Sequence, residues 1–260
     1  MAAQRAARIL MWVCLLYVWG SVLEWMLHKW SMHGVGLLGG VFAKLQTTHS
    51  HIQHHRDTNM QQGLADDYHP KGLVYEPRDM ILTWISFAPG ALVLWALLGG
   101  RKVMPASLAI AFTVVVAFLY FWAWNSMHTA YHRVYLPANE AIPDPKGGDG
   151  ATVVLASPLP YFRPDKGNPV FLRLFWYHAM HHLNKGVSKG NYNILLPIAD
   201  VLLGSYTGRV DNRAHFAENA PATDQERWLY DHQVFDVQVR PDAVMYREKS
   251  TEEWKPLPAL

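Results

Sequence analysis

Histidines recur at metal-ligand spacing in four short groups, and this recurrence constrains the fold more than any other feature of the chain. Two of the groups, at 51–55 and 178–182, share the pattern His-x2-His-His. Residues three and four positions apart lie on one face of a helix, so the imidazoles of each triplet point the same way. Neutral imidazole is the commonest metal-ligating side chain. Each triplet therefore predicts a metal site on one side of a helix.

The other two groups are pairs of histidines. His128 and His132 are four residues apart, which places both rings on one face of a helix. His28 and His33 are five residues apart, a step that separates the rings by about 140° around an ideal α-helix. Both can face one centre only if the helix ends or bulges there, and π-bulges are frequent at functional sites. The predicted metal ligands are His28, His33, His51, His54, His55, His128, His132, His178, His181 and His182.

The number of these imidazoles indicates more than one metal ion. One zinc ion takes four ligands, so the set suits two metal ions with about five ligand positions each. Imidazole binds iron, zinc, copper and nickel, so the ligand type leaves the metal open. Cys14 is the only cysteine, which excludes an intrachain disulfide, a CxxC zinc site, an iron–sulfur cluster and a c-type haem attachment. The lack of Glu-x-x-His argues against a ferritin-like carboxylate centre.

Three stretches are long and apolar enough to cross a bilayer: Ile9–Leu27, Met80–Leu98 and Val103–Trp124. The last two carry no charge, and the glycine-containing turn at 99–102 between them predicts a helical hairpin. Flanking tryptophans favour membrane spans over the alternative of a soluble, buried helical core. No small-residue cleavage site follows the first stretch, which argues against a signal peptide.

The order of the spans predicts that all four histidine groups lie at one membrane face. The first span delivers residues 28–69 to one side, and the hairpin leaves that side and returns to it before residue 128. Gly34–Leu45 is apolar but too short to cross, which predicts an interfacial or re-entrant segment. We expect an integral protein of the endoplasmic reticulum in a eukaryote, or of the inner membrane in a bacterium, with a cytosolic histidine face.

The rest of the chain is predicted to form connecting segments and a C-terminal tail. Leu136–Gly167 is rich in proline and glycine, which predicts an irregular loop. Ile194–Leu203 predicts a short apolar helix broken by Pro197 and ended by Gly204. Residues 209–260 carry a net charge of −3, against +5 for the remainder, and predict a small polar appendage on the solvent face.

The predicted fold class is an all-α integral membrane protein with three to four membrane or interfacial helices and a histidine-rich helical cap. The predicted division is a membrane domain at 1–208 and a polar C-terminal appendage at 209–260. Within the appendage, Val234–Val239 alternates like a half-buried strand.

The series of four histidine groups resembles the fatty acid hydroxylase/sterol desaturase superfamily of membrane di-iron enzymes, over roughly Glu24 to Gly208. The spacing is close to that of fatty acid and ceramide 2-hydroxylases, although the loop between the third and fourth groups is longer here. The segment Asn191–Asp200 looks like the one that follows the last group in that family. His28 to His33, followed by glycine, also looks like the first group of β-carotene hydroxylases.

This resemblance implies two non-haem iron ions held by the ten histidines, activation of O2, and hydroxylation or desaturation of a lipid. The implied substrate is a fatty acyl chain or related lipid that enters from the bilayer, with a carotenoid or sterol as the alternative. No cytochrome b5 domain is expected in this chain, so a separate cytochrome b5-like or ferredoxin-like protein would supply electrons. The net charge of +2 implies no nucleic-acid partner.

Two hypotheses from other functional classes remain open. A membrane zinc-binding or transport protein would use the same imidazoles, but transport sites usually lie near the bilayer midplane, and the two uncharged spans contain no histidine. A catalytically inactive, partner-binding relative is the other, although all ten ligand positions are filled.

Several polar residues near the histidine groups are candidates for supporting roles. Asn191, Asn193 and Asp200 are candidates to hydrogen bond the ligand imidazoles, and turn or cap residues are the alternative reading. Glu24 is the only carboxylate in a predicted span, and it either pairs with Lys29 or a ligand imidazole or marks the membrane boundary. The other histidines, expected not to be ligands, are His49, His69, His215 and His232.

Overall fold

The computed structural model describes residues 2–35, 46–58, 77–132, 141–143, 152–154, 159, 161–165, 167–184, 189–217, 220–221, 224–240, 243–248 and 251–257. Most of the chain is helical, as predicted. Most of the expected segment Gly34–Leu45 lies outside the described residues. His69 also lies outside them.

Three long helices form the apolar part of the molecule. Helix α1 spans Ala2–Met26 and continues as a π-helix over Leu27–Met32, α3 spans Pro77–Leu97, and α4 spans Ala106–Tyr131. A 3-10 turn at Gly100–Lys102 joins α3 to α4, in agreement with the predicted hairpin. These three helices contact one another, and the main hydrophobic core lies between them.

Two helical segments, Ala3–Met32 and Ala106–Tyr131, are long and apolar enough to cross a membrane by length and composition. They correspond to the first and third predicted spans. The second prediction falls on α3, whose described apolar segment, Ile85–Leu97, is shorter.

Helix α1 packs closely against α3. The indole Nε1 of Trp12 donates to the carbonyl of Ala91, and that of Trp19 donates to the carbonyl of Phe87. Buried indole N–H groups need such partners. A Cβ at Gly90 would lie 2.3 Å from Cε2 of Trp19, so glycine is required for this approach.

Two shorter helices carry the histidine triplets. Helix α2 spans Gln46–Asp57, and α5 spans Pro169–Leu183. The start of α5 is determined by sequence: the Asn168 side chain accepts hydrogen bonds from the first-turn N–H groups, and Pro169 fits a position where no N–H is needed. The predicted short helix forms as α6 over Ile198–Leu202, directly after Pro197.

The all-α prediction is wrong for part of the chain. Strands β1 (Ala141–Pro143) and β2 (Thr152–Val154) pair within the stretch predicted to be irregular. The C-terminal region holds a four-stranded antiparallel sheet, in the order β3 (Arg209–Asp211), β4 (Val234–Val239), β5 (Val244–Glu248) and β6 (Lys255–Pro256). Its β4 is the predicted strand. Two short helices lie between β3 and β4 in the chain: α7, Arg213–Phe216, and α8, Asp224–Asp231.

The C-terminal sheet packs against α5. Met180 and Leu183 of the helix are buried in one apolar cluster with Val210 and Phe235 of the sheet. The Asn184 side chain donates to the carbonyl of Arg209 and accepts from the N–H of Asp211. The region predicted to be a polar appendage therefore supports the helix that carries the last histidine triplet.

Candidate metal centre

All ten predicted ligands meet at one end of the long helices, where they form two groups. The possible ligand atoms of each group lie within 4.8 Å of one another. Group A comprises His28, His33, His51, His55 and His181, and group B comprises His54, His128, His132, His178 and His182. Each group has five imidazoles, which is the division that the ligand count predicted.

The two His-x2-His-His triplets supply both groups in opposite ways. In α2, the residues four apart, His51 and His55, belong to group A, and His54 between them belongs to group B. In α5 the assignment is reversed: the outer pair belongs to group B, and His181 belongs to group A. The π-helix adds a pair to group A, and α4 adds a pair to group B. A triplet thus bridges two adjacent sites because the third residue lies on a different part of the helix face.

A π-helix resolves the five-residue step between His28 and His33. The N–H of His33 donates to the carbonyl of His28 at 3.1 Å, which is the i to i+5 hydrogen bond of a π turn. The two rings stack with centroids 5.1 Å apart. Of the two predicted alternatives, a helix end or a bulge, the bulge is present, and it aims both rings into group A.

The spacing of the ring nitrogens fits a shared metal ion. Two nitrogens bound at right angles to one metal at about 2.1 Å lie about 3.0 Å apart. In group A, Nε2 of His51 lies 2.9 Å from that of His28 and 3.1 Å from that of His33. In group B, Nε2 of His178 lies 3.0 Å from Nε2 of both His132 and His182.

A cation would also stabilise the buried ring nitrogens. The Nδ1 atoms of His28 and His181 face backbone carbonyls, so in the neutral rings Nδ1 carries the proton and Nε2 carries a lone pair. Lone pairs that converge in a buried site repel one another unless a cation lies between them. In group B, Nε2 of His54 is buried with no hydrogen-bond partner among the described residues. The donor set fits a metal ion in each group.

Burial keeps the imidazoles neutral. Eight of the ten rings are buried, and His33 and His55 are half-buried. Loss of solvation is the main reason that the pKa of the histidines outside the candidate spans lies well below the usual 6.5, and neighbouring imidazoles or Lys189 lower it further. Neutral imidazole is the form that binds metal. The histidines concerned are His33, His54, His55, His178, His181 and His182.

A short backbone segment, residues 190–194, lies against both groups, and we call it the carbonyl strap. The carbonyl of Gly190 accepts from Nδ1 of His181 at 2.7 Å, and the carbonyl of Tyr192 accepts from Nδ1 of His28. The carbonyl of Ile194 accepts from the hydroxyl of Tyr131, whose ring stacks on His178 of group B. Alternate carbonyls of the strap therefore orient side chains of both groups.

The three predicted polar residues hold the strap and do not themselves bond the imidazoles in the described hydrogen bonds. Asp200 accepts from the N–H groups of Tyr192 and Asn193 at 3.0 and 2.7 Å. It also accepts from the hydroxyl of Tyr177. Asn191, at a φ of +56°, bonds the backbone of Tyr177 and Thr207. Their contribution to the imidazoles passes through the backbone.

Glu24 has none of the expected partners among the hydrogen bonds described. Its carboxylate accepts from the hydroxyl of Tyr120 and from Nε1 of Trp124, both in α4. It also accepts from Nδ2 of Asn193 and from the N–H of Ile194. Glu24 thus joins the first helix, the fourth helix and the strap.

Sequence reasoning missed some residues that shape the centre. No sequence motif marks Gly190 or Tyr192, because each acts through its backbone carbonyl. Tyr131 has no motif either, because it acts through a tertiary contact with the ring of His178. Lys189 is a further case: its Nζ lies 3.4 Å from Nδ1 of His55 and donates to the carbonyl of His181. The charge of Glu24 in an apolar run was the one available signal.

Among the histidines whose side chains the structure describes, His215 and His232 do not enter either group, and the side chain of His49 lies outside the described residues. His215 and His232 lie in the C-terminal region, where His232 stacks on Trp228.

Comparison of the chain with models of known protein families, with curated proteins and with solved structures gives no match. The geometry of the two groups is therefore the basis for assigning a function.

Proposed function

We propose that this protein is a membrane-bound, non-haem di-iron oxygenase that hydroxylates or desaturates a C–H bond of a lipid. The observation that carries this proposal is the convergence of ten imidazoles into two adjacent groups of five. A structural zinc site uses four ligands, and a catalytic one uses three with an open position. Each group here has five imidazoles, more than either kind of zinc site uses. Imidazole is also a suitable ligand for iron.

With iron bound in groups A and B, the centre would supply O2 activation and oxidation of an unactivated C–H bond. The protein itself orients the imidazoles and shields them from water. The strap carbonyls fix which nitrogen of His28 and His181 faces inward, and burial of the rings excludes water. Burial also keeps the imidazoles unprotonated, so no proton competes with the metal near neutral pH.

The apolar helices support a lipid as the substrate class. The candidate spans Ala3–Met32 and Ala106–Tyr131 both run directly into histidines of the two groups. A groove between α3 and α4 is lined by apolar side chains that include Leu92, Ile110 and Val114. An acyl chain in the bilayer would meet the centre from this direction, with its reacting carbon held beside buried imidazoles.

Electrons would come from a separate protein of the cytochrome b5-like or ferredoxin-like class. The one cysteine of this sequence cannot hold an iron–sulfur cluster by itself. We place the protein in the endoplasmic reticulum or inner membrane, with the histidine groups at the cytosolic boundary.

Metal analysis and product analysis together test the proposal. The purified chain should hold close to two iron ions, and cells that express it should accumulate an oxidised lipid. His181→Ala should abolish product formation while the protein still inserts in membranes, and His215→Ala, outside both groups, should behave like the parent. Zinc alone, with no O2 consumption under reduction, would refute the oxygenase and favour a zinc-binding or transport protein.

A further inference from the structure

We propose that Glu24 is a positioning residue for group A: together with Asp200 it locks the carbonyl strap, and the strap then presents Nε2 of His28 and His181 to the metal. The proposal rests on the metal centre described above. It does not depend on which reaction that centre performs.

The two carboxylates hold three successive backbone N–H groups. Asp200 accepts from Tyr192 and Asn193, and Glu24 accepts from the next residue, Ile194, at 2.5 Å. All of these groups are buried, so their hydrogen bonds are shielded from water. With its N–H groups fixed on one side, the strap has its Tyr192 carbonyl free to accept from His28.

Glu24 is the member of this pair that connects the strap to the long helices. It lies in α1 four residues before His28 of the π-helix, and both side chains reach the same strap. Nδ2 of Asn193 also donates to the carbonyl of Ser21, one turn earlier in α1. Tyr120 and Trp124 hold the opposite side of the carboxylate.

The hydrogen bonds of Glu24 suit a carboxyl group and not a carboxamide. Its four partners are all donors: a hydroxyl, an indole N–H, an amide N–H and a backbone N–H. A carboxylate accepts at about four lone-pair positions, whereas a carboxamide has one acceptor oxygen and an NH2 group. Glu24→Gln would therefore turn an NH2 group toward Asn193 or toward Trp124 and Ile194. A carboxyl group that is buried within a candidate span is costly, which indicates a function.

The test uses the full chain in detergent, loaded with zinc, so that oxygenase activity is not needed. Release of zinc to a chelator is followed for the parent, for Glu24→Gln and for Thr113→Val. The last variant removes a buried hydroxyl of α4 that bonds only within its own helix, to Ala109, in the contacts described. A His128→Ala variant identifies which release phase belongs to group B.

We expect Glu24→Gln to speed release from group A by about tenfold or more, as loss of outer hydrogen-bond partners typically does. Release from group B should change less, because the described contacts connect Glu24 to that group through the rings of Tyr131 and Trp124 and not through a bond to an imidazole. In protein labelled with 15N in its imidazoles, the Nδ1–H signals of His28 and His181 should shift in the same variant. Thr113→Val should change neither readout.

Parent-like release with unshifted imidazole signals would overturn the positioning role. Equal acceleration in both groups, matched by Thr113→Val, would overturn it too, since that pattern indicates general loss of packing. If Glu24→Gln does not fold, Glu24→Asp keeps the carboxyl group and shortens the reach to Ile194, and parent-like zinc release in that variant contradicts the proposal. Zinc binding without lipid oxidation would remove the oxygenase assignment and leave this inference intact.

Discussion

The imidazole of His55 stacks on that of His182, with ring centroids 4.0 Å apart and an interplanar angle of 27°. The first ring belongs to group A and comes from α2, and the second belongs to group B and comes from α5. The two candidate metal sites therefore share a wall made of ligand side chains. A change in one group can reach the other through this contact.

His182→Ala should weaken metal binding in both groups. The substitution removes a ligand of group B and also the ring on which His55 of group A rests. His128→Ala is the matched control, since the ring contacts described for His128 are with Trp124 and with other members of group B. By metal analysis, His128→Ala should retain about half of the metal, and His182→Ala should retain less. Equal retention in the two variants would contradict the coupling.

Moving the second imidazole of the π-helix by one position should empty group A. The double variant Met32→His/His33→Ala changes the five-residue step from His28 to a four-residue step, which suits an α-helix and not a π turn. Metal content should fall to about one ion per chain. Met32→Leu, which keeps His33, should retain both. Two ions in the double variant would mean that the segment readily becomes α-helical.

Gly190→Ala should destabilise the strap. An added Cβ would lie 2.4 Å from the backbone oxygen of Ser205, which cannot move independently of the chain. We expect a loss of about 1–3 kcal/mol, as for other forced contacts in packed interiors, and a lower melting temperature in detergent. Gly208→Ala is the control, because its Cβ would meet the Val237 oxygen at an ordinary 3.5 Å. Equal melting temperatures for the two variants would show that the strap can shift.

The metal-free protein should lose stability as the pH falls below about 6.5. Burial lowers the folded-state pKa of His54, His178 and His182, whereas the unfolded chain titrates near the ordinary value. Below that value the unfolded state binds more protons, so each such histidine removes up to about 1.4 kcal/mol per pH unit. Above it, both states are neutral and stability is level.

Denaturant unfolding of the metal-free chain in detergent, at several pH values between 5 and 8, measures this dependence. Metal-loaded protein should show a steeper loss, because protons and metal compete for the same nitrogens. A free energy of unfolding that does not change between pH 7.5 and 5.5 would mean that the imidazoles are solvated.

Several features of the site follow from local sequence because they depend on helix periodicity. The spacing of the triplets determines which histidines share a face. The five-residue step from His28 to His33 predicts a helix end or a bulge, and the π-helix is the bulge. Apolar length predicted the long helices, and alternation predicted the strand Val234–Val239. The sheet around that strand was not predicted as a whole, because its strands of two to five residues are too short to show a period.

The number and spacing of the histidines are enough to predict the candidate site: ten imidazoles, a number that suits two metal ions, at the ends of apolar helices. The division of the imidazoles depends on tertiary packing, because the assignment of His54 and His181 to opposite groups follows from how α2 and α5 face each other. The tertiary structure also determines the hydrogen-bond partners of Glu24, which lie about 100 and 170 residues away in the chain. Backbone carbonyls such as that of Tyr192 leave no trace in a sequence, since every residue has one.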